Sequence, residues 1–396
     1  MRKILLAVLL VVALSGMAFA AHVDPALEDQ IKGAKGNEKI SVIVTMKPGK
    51  AHTDVAAMGG RVKKSYDIIN GFAAELPAPA IRALAKNPNV KNIAFDKTIK
   101  INSNIAVQAT NADDLWSYGY DGSGITIAII DTGIEPHPDF QDRITGWYDA
   151  VNGYSQPYDD HYHGTHCAGI AAGNGPTYDG PAKGANLWGI KVLNSQGSGS
   201  TSDIIDGINA AYQSGADILS LSLGGTVTQS SQNDPICEAV RNAWDSGAVV
   251  VVAAGNSGRD GYYTIGSPGN EPKVITVGNV DDRNTATISD DIMNDSSSKG
   301  PTSIDNWVKP DVSAPGTNIV ATDGRDGSGY LSLTGTSMAT PHVAGIIAQI
   351  MEAHPSWSNQ TIKDALMNTA RDIMNHQYER YIQGMGEVDA YGALNY

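Results

Sequence analysis

Cysteine is scarce in this 396-residue chain, which has only Cys167 and Cys237. A framework of several disulfides is therefore excluded, while spacing alone leaves open whether these two pair or stay free. Aromatic residues are few, at 7%, and no low-complexity tract interrupts a globular composition that is 41% hydrophobic. After residue 20 no apolar run approaches the roughly 20 residues needed to span a bilayer, so no membrane anchor is expected there. Positive charge is sparse beyond residue 100: residues 101–396 carry 13 Lys and Arg against 34 Asp and Glu, a net of −21. Such a body repels phosphates and argues against nucleic acid as a partner. Charged residues total 18% of the chain, without the Lys and Glu enrichment of hyperthermophile proteins. A His-Glu-x-x-His arrangement is also missing. His161, His163 and His166 thus lack the general base of a metallopeptidase, and no catalytic metal is expected.

The N-terminal quarter has the opposite character. Residues 1–100 hold 15 Lys and Arg against 8 Asp and Glu, a net of +7. A basic leader before an acidic body points to two domains that attract one another. Within the leader, Arg2 and Lys3, the apolar run Ile4 to Leu14 and the small residues of Ala18-Phe19-Ala20 form an export-signal pattern over residues 1–20, so a secreted protein is expected. Residues 21–100 alternate like a small α+β domain of ferredoxin-like order. Strands are expected near Lys39–Met46, Val62–Ile69, Gly71–Leu76 and Val90–Phe95, with helices near Val55–Met58 and from Pro79. Lys97 to about Thr110 lacks periodicity and is the expected linker.

From Gly122 the pattern changes to short continuous apolar runs: Ile125–Ile130, Leu187–Leu193, Ile218–Leu223, Val249–Ala254 and Val274–Val280. Helical stretches at Gly164–Ala172, Thr201–Gln213 and Pro235–Asp245 separate most of them. The expected class is α/β, a parallel sheet flanked by helices. Reactive groups in such sheets lie at the carboxyl ends of strands and at helix starts.

Four motifs fall at those places: Asp131-Thr132-Gly133, His163-Gly164-Thr165-His166, Ala253-Ala254-Gly255-Asn256, and Gly335-Thr336-Ser337-Met338-Ala339-Thr340-Pro341. Acyl transfer needs a hydroxyl nucleophile, a base of near-neutral pKa, a carboxylate that orients the base, and donors for the developing oxyanion. Ser337, His163, Asp131 and the Asn256 amide supply one of each. The Ser337 N–H at a helix start adds a second donor. A lone Asp-Thr-Gly also occurs in aspartic peptidases, but no second such motif accompanies it. His166 and His342 read as packed helix residues, and Pro341 is expected in the first turn after Ser337, where a missing N–H costs little.

In this order the motifs resemble the subtilisin family of serine peptidases, from about Gly119 to Val388, and the leader resembles the inhibitory propeptide of that family. The resemblance implies an endopeptidase over residues 101–396 that acts on protein or peptide substrates. It also implies a propeptide over residues 21–100 that serves as chaperone and inhibitor, with self-cleavage between Phe95 and Ile105, and a monomer. Gly197-Ser198-Gly199 and Ser222-Leu223-Gly224 resemble the two edges that clamp substrate, and Gly266 the floor of a pocket for a large apolar P1 residue. No charged residue in these stretches suggests a P1 charge preference. Cys167 resembles the thiol of a branch in which a buried Cys lies beneath the catalytic His, and Cys237 reads as helix core. Structural calcium is implied, with Asp139 matching a ligand, although Gly173–Ala185 is shorter than the usual calcium loop. The acidic stretch Asp281-Asp282…Asp290-Asp291…Asn294-Asp295 is a second calcium candidate or a solvated loop. The alternative function is a peptide-binding protein of the same fold that does not cut.

Overall fold

The run Val249–Ala253 is four valines and an alanine, all buried, so neither face of its strand meets water. A strand of this kind requires cover on both sides and belongs in a parallel sheet. A computed structural model describes residues 21–35, 38–50, 54–96, 98–100, 112–175, 178–286, 288–374 and 379–396. Residues 1–20 of the export pattern and most of the linker lie outside them.

The leader folds as strand β1 (His22–Val23), helix α1 (Pro25–Gly33), β2 (Lys39–Met46), β3 (Arg61–Tyr66), β4 (Gly71–Pro77), α2 (Ala78–Ala85) and β5 (Val90–Phe95). Its sheet has the order β1-β5-β2-β4-β3. The expected strands are present. The first expected helix is a single 3-10 turn at Ala56–Met58, and β1 and α1 were not anticipated. The linker is not wholly irregular, because Thr98–Lys100 forms strand β6.

The body continues with α3 (Asp113–Trp116), β7 (Thr126–Asp131), β8 (Ile144–Asp149), α4 (His163–Ala172), β9 (Asn186–Lys191), β10 (Ser198–Ser200), α5 (Thr201–Ser214), β11 (Ile218–Leu221), α6 (Pro235–Asp245) and β12 (Val249–Ala253). Then follow β13 (Ile275–Asp281), β14 (Ile292–Met293), β15 (Val312–Pro315), β16 (Ile319–Asp323), β17 (Gly329–Leu333) and α7 (Thr336–Ala353). Strands β8, β9, β7, β11, β12 and β13 lie side by side and parallel. On β13, β14 pairs antiparallel and β15 parallel.

Local chemistry starts the helices where they are needed. Ser200 and Asp203 form a reciprocal capping box on α5. Asp234 accepts from Ile236 and Cys237 N–H at α6, with Pro235 in the first turn, where its fixed φ suits the helix. Helix α4 is buried throughout, and α7 is buried from Thr336 to Ile350. The two pack on each other beside the sheet. Neighbouring strands β7, β11 and β12 therefore present their carboxyl ends to the starts of α4 and α7.

Candidate active site

Asp131 is the last residue of β7 and His163 the first of α4. Asp131 Oδ1 accepts from His163 Nδ1 at 2.7 Å and from the Thr132 N–H at 2.7 Å. Both side chains are buried. The loop before His163 is under strain: Tyr162 has φ of 106°, a conformation that costs an L-residue roughly 1–3 kcal/mol. Asp159 holds it there. Its Oδ1 accepts from the His161 and Tyr162 N–H groups, and its Oδ2 from the Thr165 N–H and hydroxyl. Thr132 Oγ1 receives the Gly164 N–H at 2.8 Å, tying the two motifs together.

Burial opposes charging of the His163 imidazole, yet the Asp131 carboxylate outweighs it and draws His163 well above its ordinary range. Cys167, whose Sγ lies 3.8 Å from His163 Nδ1, has its thiol pushed up by burial and is neutral. The other histidines behave differently. Burial lowers His166 and His342 to about 3, which suits packed neutral side chains. The three-His cluster is not assembled. Asp131, His163 and Cys167 are the one trio of metal-capable side chains among the described residues with ligand atoms all within 4.8 Å. Their shared atom, Nδ1, already serves the bond to Asp131.

Ser337 is the second residue of α7. Its hydroxyl donates to the Ser222 carbonyl at 3.2 Å, while His163 Nε2 is buried without a hydrogen-bond partner. The Cys167 sulfur reaches both groups, lying 3.5 Å from the Ser337 carbonyl. Pro341 follows Ser337 by one turn, but its missing N–H is not free of cost there as expected. It lies inside the helix, four residues after Ser337, and so removes the N–H that would bond the Ser337 carbonyl. Ser222 Oγ replaces it at 2.8 Å. Asn256, just past β12, accepts the Thr336 N–H at 3.0 Å and the Thr336 hydroxyl at 3.2 Å through Oδ1. This bond fixes the amide orientation, so Nδ2 is the donor at the other end.

Beside Asn256 opens a cavity of about 570 Å³ lined by Gly224, Gly225, Thr264, Gly266, Tyr263 and Asp260. Its walls are joined by reciprocal backbone bonds of 2.9 Å between Gly225 and Ser267. At Gly266 a Cβ would come within 3.1 Å of the Gly225 carbonyl oxygen, so only glycine leaves this space open without displacing the wall. Asp260 adds an exposed carboxylate to this lining. It lies between the stretches read from the sequence, and nothing in its own neighbours marks it.

Across the cleft, Ser198–Ser200 already carries a strand. β6 pairs with it antiparallel, Lys100 opposite Ser198 and Ile99 opposite Gly199. The buried Asp96 carboxylate, from the leader, accepts the Ser202 N–H at 2.6 Å and the Ser202 hydroxyl at 2.8 Å at the start of α5. Tyr66 donates to the Ser202 carbonyl at 2.8 Å. Lys64 pairs with Asp206, and Lys91 with Glu238. Basic leader and acidic body thus meet through named ion pairs. The two cysteines are free and occupy separate buried sites. Cys237 lies in α6 near Asn270 Oδ1, at 3.3 Å. Asp139 is buried, with both carboxylate oxygens about 3 Å from the Tyr330 hydroxyl, at 3.0 and 2.9 Å. That neutral donor sits where the sequence suggested calcium. Among the described residues, no helix is long and apolar enough to cross a membrane.

Residues 122–386 match the profile described as the subtilase family, and residues 41–102 that of peptidase inhibitor I9. The chain is 40% identical over 392 residues to serine protease AprX of Bacillus subtilis, covering 90% of this chain and 88% of that protein. It is 36% identical over 353 residues to subtilisin E of the same species, covering 87% and 86%. In three dimensions it resembles fervidolysin from Fervidobacterium pennivorans, a keratinolytic enzyme related to subtilisin. The TM-score is 0.78 at 22% identity, covering 96% of this chain and 63% of that one.

Proposed function

Because this chain belongs to the subtilase family of serine peptidases and carries an I9 inhibitor domain ahead of its catalytic domain, we propose that Ser337 is its nucleophile, His163 the general base and Asp131 the group that orients the base. The supporting observation is the His163 ring, bonded to Asp131 through Nδ1 and left with a buried, unpartnered Nε2 beside the start of α7. A rotation of the Ser337 hydroxyl away from the Ser222 carbonyl offers its proton to that nitrogen. Oγ then attacks the peptide carbonyl, and the Asn256 amide with the Ser337 N–H receives the oxyanion. His163 returns the proton to the leaving amine, and water repeats the sequence on the acyl-enzyme. Substrate enters by adding a strand to the edge formed by Gly197, Ser198 and Gly199, opposite Ser222, Leu223 and Gly224, with P1 in the cavity over Gly266.

The leader is an inhibitory propeptide, with β6 on β10 occupying the edge that substrate needs. The pairing of Thr98–Lys100 on that edge supports self-cleavage in the C-terminal part of the Phe95–Ile105 stretch, beyond Lys100 and outside the described residues. Export of the protein is proposed from the pattern in residues 1–20. Calcium at Asp139 would have to displace the Tyr330 hydroxyl.

Ser337→Ala should lower peptidase activity by ~10⁴-fold or more and leave the leader covalently attached. Intact-mass measurement and N-terminal sequencing of both proteins test this. Normal trimming in the variant would assign cleavage to another protease, and normal activity would remove Ser337 from its role. For Asn256→Ala the expected loss in kcat is about 10²–10³, the magnitude established for this donor in subtilisins.

A further inference from the structure

Tyr162 is poorly suited to its place on two counts. It caps the N-terminus of α4, its carbonyl accepting the His166 N–H at 3.0 Å, yet its side chain makes no capping bond of the kind Ser, Thr, Asp or Asn would make. It also holds φ of 106°, a conformation that suits glycine and makes a bulky residue an outlier. Strain kept immediately before the general base points to a use for the side chain itself.

The Tyr162 ring has two partners. The His161 ring stacks on it, with centroids 4.4 Å apart and planes 19° from parallel. The Arg325 guanidinium lies over it, with Cζ 4.9 Å from the ring centroid. Arg325 belongs to the turn of the β16–β17 hairpin and is itself fixed by Asp323, whose Oδ1 and Oδ2 accept from its Nε at 2.9 and 3.1 Å. That hairpin is seated on α4. Thr322 donates to the Thr165 carbonyl at 2.7 Å, and a Cβ on Gly324 would come within 3.2 Å of Tyr162 Cα. On its other side His161 meets the His163 ring edge-on, with centroids 6.4 Å apart and planes at 68°. The His161 Nδ1 is buried without a hydrogen-bond partner, so ring contacts set its orientation. Contact therefore runs unbroken from the hairpin turn to the catalytic imidazole.

We propose that Tyr162 is a positioning residue for His163: its ring, braced by Arg325, holds His161 against the flank of the His163 imidazole and keeps Nε2 turned toward the start of α7. The proposal rests on His163 being the general base. Its Cβ and the Nδ1 bond to Asp131 fix two points of the imidazole and leave the ring plane free to rock about the line between them. Packing at the flank limits that rocking. Proton transfer tolerates little of it, since a misplacement of about 1 Å can cost about 10²-fold in rate. The cavity over Gly266 is lined by other residues, so substrate affinity should not follow the stack.

Two substitutions separate this role from stability: Tyr162→Gly removes the ring and the strain, Tyr162→Ala the ring alone. Kinetics are measured on the self-processed full chain, with active sites counted from the acyl-enzyme burst, and melting on the same variants carrying Ser337→Ala. Both variants should lose about tenfold in kcat with KM within about twofold of the parent, although the Gly variant melts a few degrees above the Ala variant. Tyr162→Phe, which keeps the ring, should restore kcat to within about threefold of the parent. Arg325 is exposed, so Arg325→Ala tests the same contacts without disturbing the fold and should lower kcat by about two- to fivefold. Activity that follows melting temperature across the series, full activity in Tyr162→Gly, unchanged kcat in Arg325→Ala, or a change confined to KM would each overturn the proposal. His163→Ala distinguishes the two readings. If it is inactive while Tyr162→Gly is unaltered, the positioning role alone fails; if it stays active, the general base and the positioning role fail together.

Discussion

At the residue scale the decisive group is His163. In the proposed mechanism it must be neutral to accept the Ser337 proton, and the Asp131 carboxylate, outweighing burial, raises its pKa above the ordinary range. Activity is thus absent below that pKa and appears as pH rises through it, with a midpoint above the ordinary value of about 6.5. Asp131→Asn should cut kcat by ~10⁴-fold and move the midpoint down, both read from kcat/KM profiles. A flat profile between about pH 5 and 9 would contradict this assignment. Cys167 offers a second readout, since its sulfur touches both His163 and Ser337. p-Chloromercuribenzoate should inactivate the parent enzyme and spare Cys167→Ala. Asp260, in the lining of the proposed P1 cavity, should assist substrates with Lys or Arg at P1. Asp260→Asn is expected to lower kcat/KM for these by about two- to fivefold relative to a Phe substrate, as an exposed charge contact allows. These chemical identities were legible in the motifs. Asp260 and Asp159 were not, because their roles depend on where loops return.

At the element scale, helix starts carry the arrangement. Pro341 frees the Ser337 carbonyl inside α7, and Ser222 Oγ satisfies it from the end of β11. Ser222→Ala should leave that buried carbonyl with the weak Cys167 donor alone, costing about 1–2 kcal/mol, seen as a melting shift of a few degrees in the Ser337→Ala chain. Asp96 serves the start of α5 from the neighbouring domain. Asp96→Ala should weaken retention of the cleaved leader by roughly tenfold, measured by gel filtration after processing. The central strands were readable from their unbroken apolar runs. The pairing of β6 with β10 was not, since both segments are only three residues long and lie about a hundred residues apart in the chain.

At the scale of the whole molecule, the charge division of the sequence becomes an interface. Lys64 and Lys91 of the leader pair with Asp206 and Glu238 of the body, while Ile43, Tyr66, Ile68, Ile69 and Ala73 join the apolar core of the body. The apolar contact persists in salt and the ion pairs weaken. Activity should therefore appear sooner after cleavage at about 1 M than at about 0.05 M NaCl, because the leader dissociates faster. An unchanged lag would mean that the charges contribute little to holding it.

Family, parallel sheet and the residue types of an acyl-transfer site were all readable before folding, because each is written in local motifs and apolar periodicity. That the Ser337 hydroxyl rests on Ser222, that β6 lies on the Ser198–Ser200 edge, and that Asp96 serves the start of α5 follow only from the assembled fold. Those outcomes depend on groups far apart in the chain, whose burial and charge act on one another only once folding has brought them together.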